Sequence, residues 1–147
     1  MREFKGRVIA KGEATAEAVV SHEGLNTLAS FQKALQFGDK TATCGDQNNK
    51  DLFGKQMAGK ALCLPQTIGS TTGGLVLYCA CSMGRQPACM LFSGPIDSLA
   101  AAGSILASVW LDGIQMPVID NLGEEFLNYV QHGMTVTVKE DGTVTVE

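Results

Sequence analysis

Between Lys60 and Ile119 the chain alternates three short apolar runs with two helical stretches, and each break carries its own stop signal. Lys60–Leu64 is a strand that ends at Pro65. Leu75–Met83, apolar apart from Ser82, is a buried helix broken by Gly84-Arg85-Gln86-Pro87, and Ala88–Phe92 is a second buried strand. Asp97-Ser98 can cap the Ala-rich helix Leu99–Leu111, which Gly113 stops, and Met116-Pro117-Val118-Ile119 returns as a third strand. Strand–helix–strand–helix–strand needs crossover connections, and crossovers join parallel strands with helices laid on the sheet.

The flanks add β structure. Arg7–Ala10 and Ala14–Val20 read as strands on either side of Lys11-Gly12-Glu13. After a short helix at Glu124–Gln131, Thr135–Val138 and Thr143–Val146 flank Glu140-Asp141-Gly142, a hairpin signal. Residues 22–58 are a long excursion with one short helix at Asn26–Leu35, and a loop of that length usually covers something or carries function. The expectation is an α/β fold with a β/β/α layout: a mixed central sheet, flanking helices and extra strands from both termini. With 147 residues and neither repeat nor linker, it forms one domain over residues 1–147.

The 45% hydrophobic and 18% charged content supports a real core, and a net charge of −4 without a Lys/Arg cluster excludes a nucleic-acid footprint. No apolar run is long enough to span a bilayer, and Met1-Arg2-Glu3-Phe4-Lys5-Gly6 has no signal-peptide core, so a cytoplasmic location is expected. The five cysteines, Cys44, Cys63, Cys79, Cys81 and Cys89, are then reduced, and most lie in apolar runs where a thiol packs as a small hydrophobe. Cys79 and Cys81 would point about 200° apart on a helix and cannot easily share a metal.

The segment Pro65-Gln66-Thr67-Ile68-Gly69-Ser70-Thr71-Thr72-Gly73-Gly74 carries the clearest chemical signal. A helix start presents unpaired N–H groups and partial positive charge, so it attracts anions. Gly69, Gly73 and Gly74 permit close approach to the backbone, and Ser70, Thr71 and Thr72 put three hydroxyls in one place. An ordinary N-cap, worth ~1 kcal/mol, explains the same residues. The segment is neither a P-loop nor a nucleophile elbow, since the GK[ST] and Gly-x-Ser-x-Gly spacings are absent. Elsewhere His22 and His132 read as ordinary surface or loop residues. Asp39, Asp46 and Asp51 read as solvated loop acids, with Asp39 also a candidate substrate contact. The small residues Ala100, Ala101, Ala102, Gly103 and Ala107 read as close packing against the sheet. A complete catalytic chain should show a base, an acid or metal site and a charge stabiliser. Here only the Ser70 segment qualifies, so the rest of any active site comes from another chain.

The runs Gly6-Arg7-Val8-Ile9, Lys11-Gly12-Glu13-Ala14, Glu17–Ser21, Leu52-Phe53-Gly54-Lys55, Ala58-Gly59-Lys60, Leu64-Pro65 and Gly69-Ser70-Thr71-Thr72-Gly73 together resemble the small, swivel-domain subunit of aconitase X. Pro95-Ile96-Asp97, Ala100-Ala101-Ala102-Gly103 and Ile114–Ile119 extend the resemblance over nearly the whole chain. It implies a hydro-lyase in which a large subunit carries an iron–sulfur cluster, no cofactor being bound by this chain alone. It also implies that the small subunit brings a serine as proton acceptor, matching Ser70, with Gly69, Thr71, Thr72 and Gly73 toward the substrate. The substrates it suggests are cis-3-hydroxy-L-proline or a phosphorylated mevalonate.

Three departures bear on substrate. Ile68 stands where the family often has a basic residue, which weakens the case for a phosphate. Phe37-Gly38-Asp39 replaces a Gly-Gly-Val-Asp-Pro stretch, and Lys50-Asp51 replaces a His-Pro. The sequence also resembles phosphohistidine swivelling domains in its C-terminal half, which leaves a non-catalytic binding module as the rival. The helix where those domains carry histidine begins Asp97-Ser98-Leu99-Ala100, without one.

Overall fold

In the computed structural model, which describes residues 1–68, 73–113 and 115–147, ten strands and four helices follow one another along the described chain. They begin with β1 (Arg2–Lys5), β2 (Arg7–Ala10), β3 (Ala14–Val20), β4 (Leu25–Asn26), α1 (Thr27–Phe37), β5 (Ala61–Leu64) and β6 (Thr67–Ile68). There follow α2 (Gly73–Ser82), β7 (Cys89–Phe92), α3 (Ser98–Trp110), β8 (Val118–Asp120), α4 (Glu124–Tyr129), β9 (Thr135–Val138) and β10 (Thr143–Val146).

The expected crossovers are present. β3, β5, β7 and β8 lie side by side and parallel, and β2 pairs antiparallel with β8. β3 is shared between two halves of the sheet: Ala14–Glu17 pair antiparallel with β9, and Ala18–Val20 pair parallel with β5. The full order is β1-β10-β9-β3-β5-β7-β8-β2. Its two outermost strands are consecutive in the chain and separated only by Gly6, so the edges meet and the sheet closes on itself as a barrel. At that seam the Gly6 N–H donates to the Gly142 carbonyl at 3.3 Å, and a side chain on Gly6 would run into the Asp120 carbonyl oxygen.

Closure creates two cores. β5 and β7 are buried along their whole length, as strands covered on both faces must be. Leu62, Leu64, Met90 and Phe92 face outward under α1–α3, packing with Phe31, Ala34, Leu77 and Ala80. The alternate residues Ala61, Cys63, Cys89 and Leu91 face a second cluster that draws on all eight strands of the sheet, from Phe4 and Val8 to Val136 and Val144. Phe126 and Leu127 of α4 join this inner cluster, with Phe126 edge-on to Phe4 at 5.3 Å between centroids.

Several expectations need correction. β1 did not stand out, because Arg2, Glu3 and Lys5 are exposed polar residues that become a strand only by pairing with β10 from the other end of the chain. β2 and β3 are strands with the expected bounds on either side of Lys11–Glu13, β2 beside β8 and β3 between β9 and β5. The excursion covers the outer core, as its length implied, but its acids are not uniformly solvated. Ala42, Cys44, Leu52 and Met57 are fully buried in the outer core. Asp46 is buried as well, and its carboxylate accepts the Asn48 N–H at 3.0 Å. The small residues of α3 serve a helix contact as much as the sheet, since a Cβ on Gly103 would strike the Gly74 backbone of α2, and the converse. α2 is less buried than expected, with Leu75 63% exposed. Among the described residues no helix is long and apolar enough to cross a membrane.

Candidate active-site edge

The parallel strands β3, β5, β7 and β8 direct their carboxyl ends to one edge, the place where α/β sheets generally receive ligands. The chain leaving β5 passes Pro65 and Gln66 and pairs as β6 with β4 in parallel, Leu25 opposite Thr67 and Asn26 opposite Ile68. The Leu25 N–H donates to the Gln66 carbonyl at 2.9 Å. Gly24 leaves room for Ile68: a Cβ there would lie 2.7 Å from Ile68 Cγ2.

This brings three helix starts together. Asn26 caps α1, its side chain accepting the Ala29 N–H at 3.1 Å. Gly73, the first residue of α2, sits so close to α1 that a Cβ would be 3.1 Å from Thr27 Oγ1. Gly74 lies against the Leu99 carbonyl in the first turn of α3. Asp97 caps α3 by accepting the Ala100 N–H at 3.0 Å on Oδ2, while its Oδ1 accepts the hydroxyl of Thr67. Neither α1 nor α2 has an acidic residue in its first turn. The candidate residues Gly69, Ser70, Thr71 and Thr72 lie outside the described residues; Thr67, Ile68, Gly73 and Gly74, on either side of them, fall at this meeting of helices.

Behind the edge stands a buried anchor that sequence reasoning did not find. Asp120 ends β8 fully buried. It accepts two bonds from Arg7, Nε at 2.9 Å and Nη2 at 2.6 Å, and the Ile96 N–H at 2.9 Å. The hydrogen bond and charge of Asp120 raise the Arg7 pKa above its ordinary value. The Ile96 bond fixes the backbone one residue before Asp97.

His22 and His132, far apart in sequence, meet at the end of β3. The Asp51 carboxylate accepts the His22 N–H at 2.8 Å and lies 3.6 Å from His22 Nδ1. His132 Nδ1 accepts the Val20 N–H at 3.1 Å, which leaves the proton of the neutral ring on Nε2. Val20, His22, Asp51, Val130, Gln131 and His132 line a cavity of ≈ 410 Å³. Burial lowers the His132 pKa, with Lys55 and His22 acting in the same direction and Asp51 opposing. No local spacing signals this cluster, since each member comes from a different segment.

Asp39 is not brought to this edge. It follows the C-terminus of α1, whose 11 residues put ~16 Å between that end and Thr27. Its carboxylate is engaged locally, accepting Thr41 Oγ1 at 2.8 Å and the Thr41 and Thr43 N–H groups at 3.1 Å each. These bonds, the Thr41 hydroxyl foremost, lower its pKa to about 2.

The described residues do not fit an iron–sulfur cluster. No group of three or more His, Cys, Asp or Glu among them could hold a metal ion. Burial pushes the thiol of Cys81 up to about 11 and that of Cys89 to about 12, and raises Cys63 as well, all away from the thiolate a cluster requires.

A closed β/β barrel with three helices on one side, their starts gathered at the carboxyl edge, defines a swivel-type domain. The chain belongs to the aconitase X swivel domain family, whose profile matches residues 3–146. It is 30% identical over 145 residues to the phosphomevalonate dehydratase small subunit of Thermococcus onnurineus (strain NA1), covering 98% of both chains. It is also 30% identical over 144 residues to the protein of that name from Methanocella arvoryzae, covering 98% of this chain and 96% of that one. The fold superimposes on the aconitase X of Thermococcus kodakaraensis (holo-form) with a TM-score of 0.82 and 27% identity, covering 100% of this chain and 99% of the other.

Proposed function

We propose that this chain is the small subunit of a two-subunit hydro-lyase and that Ser70 is the group that takes the carbon-bound proton of the substrate. Elimination of water needs a base at one carbon and departure of hydroxide from its neighbour: the C–H electrons form the double bond as the C–O bond breaks. Ser70 Oγ receives the proton, and Gly69, Thr71, Thr72 and Gly73 surround the substrate. Asp39 lies about a helix length from Thr27, with its carboxylate engaged by Thr41 and Thr43.

The observation that carries this reading is the meeting of the α1 and α2 starts beside the Ser70 segment, marked by Gly73 against Thr27. A serine hydroxyl is a weak base until its alkoxide is stabilised. Two helix ends contribute at most ~2 kcal/mol each, together ~3 pKa units. That falls short of what serine needs at neutral pH, so the reading requires further cations and exclusion of water by a large subunit. The large subunit would also carry the iron–sulfur cluster for which the described residues of this chain have no ligands.

The proposed substrate is a small hydroxylated carboxylic acid such as cis-3-hydroxy-L-proline. Ile68, 49% exposed beside the Ser70 segment, offers no charge to a phosphate. The relatives' names favour a phosphorylated mevalonate, so both substrates belong in the test. With the large subunit co-expressed, turnover of each is measured for the parent complex and for Ser70→Ala. The expected result is turnover of the unphosphorylated acid and its loss by ~10²–10⁴-fold in Ser70→Ala, with the complex still assembled. Near-normal turnover in that variant overturns the assignment of Ser70, and turnover of phosphorylated mevalonate alone overturns the substrate.

A further inference from the structure

The first turns of α3 touch the chain on both sides of the Ser70 segment. Before it, Thr67 is buried and its hydroxyl donates to Asp97, the α3 cap. After it, Gly74 packs on the Leu99 carbonyl and on Gly103, where neither glycine has room for a side chain. Asp97 divides its oxygens between two tasks: Oδ2 takes the Ala100 N–H of its own helix, and Oδ1 takes the Thr67 hydroxyl. The backbone just before it is held in turn, because the Ile96 N–H donates to Asp120, which is locked to Arg7. A run of tethers therefore leads from β2 and β8 through α3 to Thr67.

We propose that Asp97 and Thr67 are positioning residues for the reaction at Ser70: their hydrogen bond, together with the Gly74–Gly103 contact, fixes both ends of the segment to α3. This rests on the assignment of Ser70 as proton acceptor. Only residues 69–72 separate the last position of β6 from the first of α2. The described positions on either side, Thr67 and Gly74, are thus both held on the same helix. Misplacement of a reacting group by about 1 Å can lower a rate by ~10²-fold without weakening substrate binding.

The variants separate tether from structure. Thr67→Val keeps shape and removes the hydroxyl, whereas Thr67→Ser keeps it. Asp97→Ser leaves one oxygen for the Ala100 cap and removes the second oxygen, the one that takes the Thr67 hydroxyl. In the assembled two-subunit enzyme, kcat is expected to fall ~10–100-fold in Thr67→Val and Asp97→Ser, with KM within about twofold of the parent. Melting temperatures should stay within a few degrees, and Thr67→Ser should restore kcat to within about threefold. Ser70→Ala is the control. If it is inactive while Thr67→Val and Asp97→Ser keep full kcat, the positioning role is overturned and the Ser70 assignment stands. If Ser70→Ala is itself active, the Ser70 assignment falls and takes the positioning role with it. A rise in KM at constant kcat, or a fall in kcat that tracks melting temperature in all three variants, also overturns the proposal.

Discussion

The inside of the barrel and its carboxyl edge are built on opposite rules. Inside, eight strands supply valine, alanine, leucine and cysteine side chains that need only fill space, and the polar groups of the backbone are consumed by strand pairing. At the edge, helices begin, N–H groups have no partner within their own helices, and glycines replace side chains where backbones touch. The barrel can lose volume and still keep its topology. The edge depends on a few contacts that cannot be exchanged, so with the proposed chemistry placed there, stability and activity are expected to separate by location.

Phe126→Ala offers the largest test of that separation. The ring is fully buried in the inner cluster, so its loss should cost ~3–5 kcal/mol, read from urea unfolding. If the complex assembles below its melting point, kcat should stay within a few-fold of the parent; a collapse of kcat in the folded variant would mean that barrel and edge are coupled. Gly103→Ala acts at the edge. The added methyl meets the Gly74 backbone, which cannot yield as a flexible side chain would, so a loss of ~1–3 kcal/mol is expected. Here kcat should fall by more than the stability change alone accounts for, because α2 carries the end of the Ser70 segment. Unchanged kcat would make the edge no more demanding than the barrel.

The smallest effect comes from pH. Burial sets the His132 pKa below its ordinary value, so the unfolded chain takes up that proton more readily than the folded one. The contribution is fully present above about pH 6.5, the unfolded value, and is lost as pH falls through the lower folded value. His132→Gln should flatten the dependence of the urea midpoint on pH between 7.5 and 5.5, and an identical slope in both proteins would refute this.

Local period carried much of the fold into view. β5, β7, α3 and the final hairpin follow from apolar runs, the Asp97 cap and Gly142, and the structure places them within a residue or two of the expected bounds. The resemblance to the aconitase X swivel domain rested on residues spread along the chain, and the family comparison agrees with it. The parts missed share one property, which is partners distant in sequence. β1 needs β10, Thr67 needs Asp97, and His22 needs Asp51 from one loop with His132 from another. The uniform reading of the loop acids failed for the same reason, since Asp46 is buried by packing that no local composition announces.

By itself, then, the amino-acid order determined which segments become strands and helices, because period and capping act between neighbours. It also pointed to a helix beginning just after the hydroxyl-bearing run Ser70-Thr71-Thr72, and α2 begins at Gly73. Only the tertiary structure decided that the sheet closes at Gly6 and that three helices begin side by side. It alone decided that Asp97, an ordinary cap by sequence, also holds Thr67. Closure and convergence depend on contacts between distant segments, and these become favourable only once the intervening chain has folded and its ordering entropy has been offset.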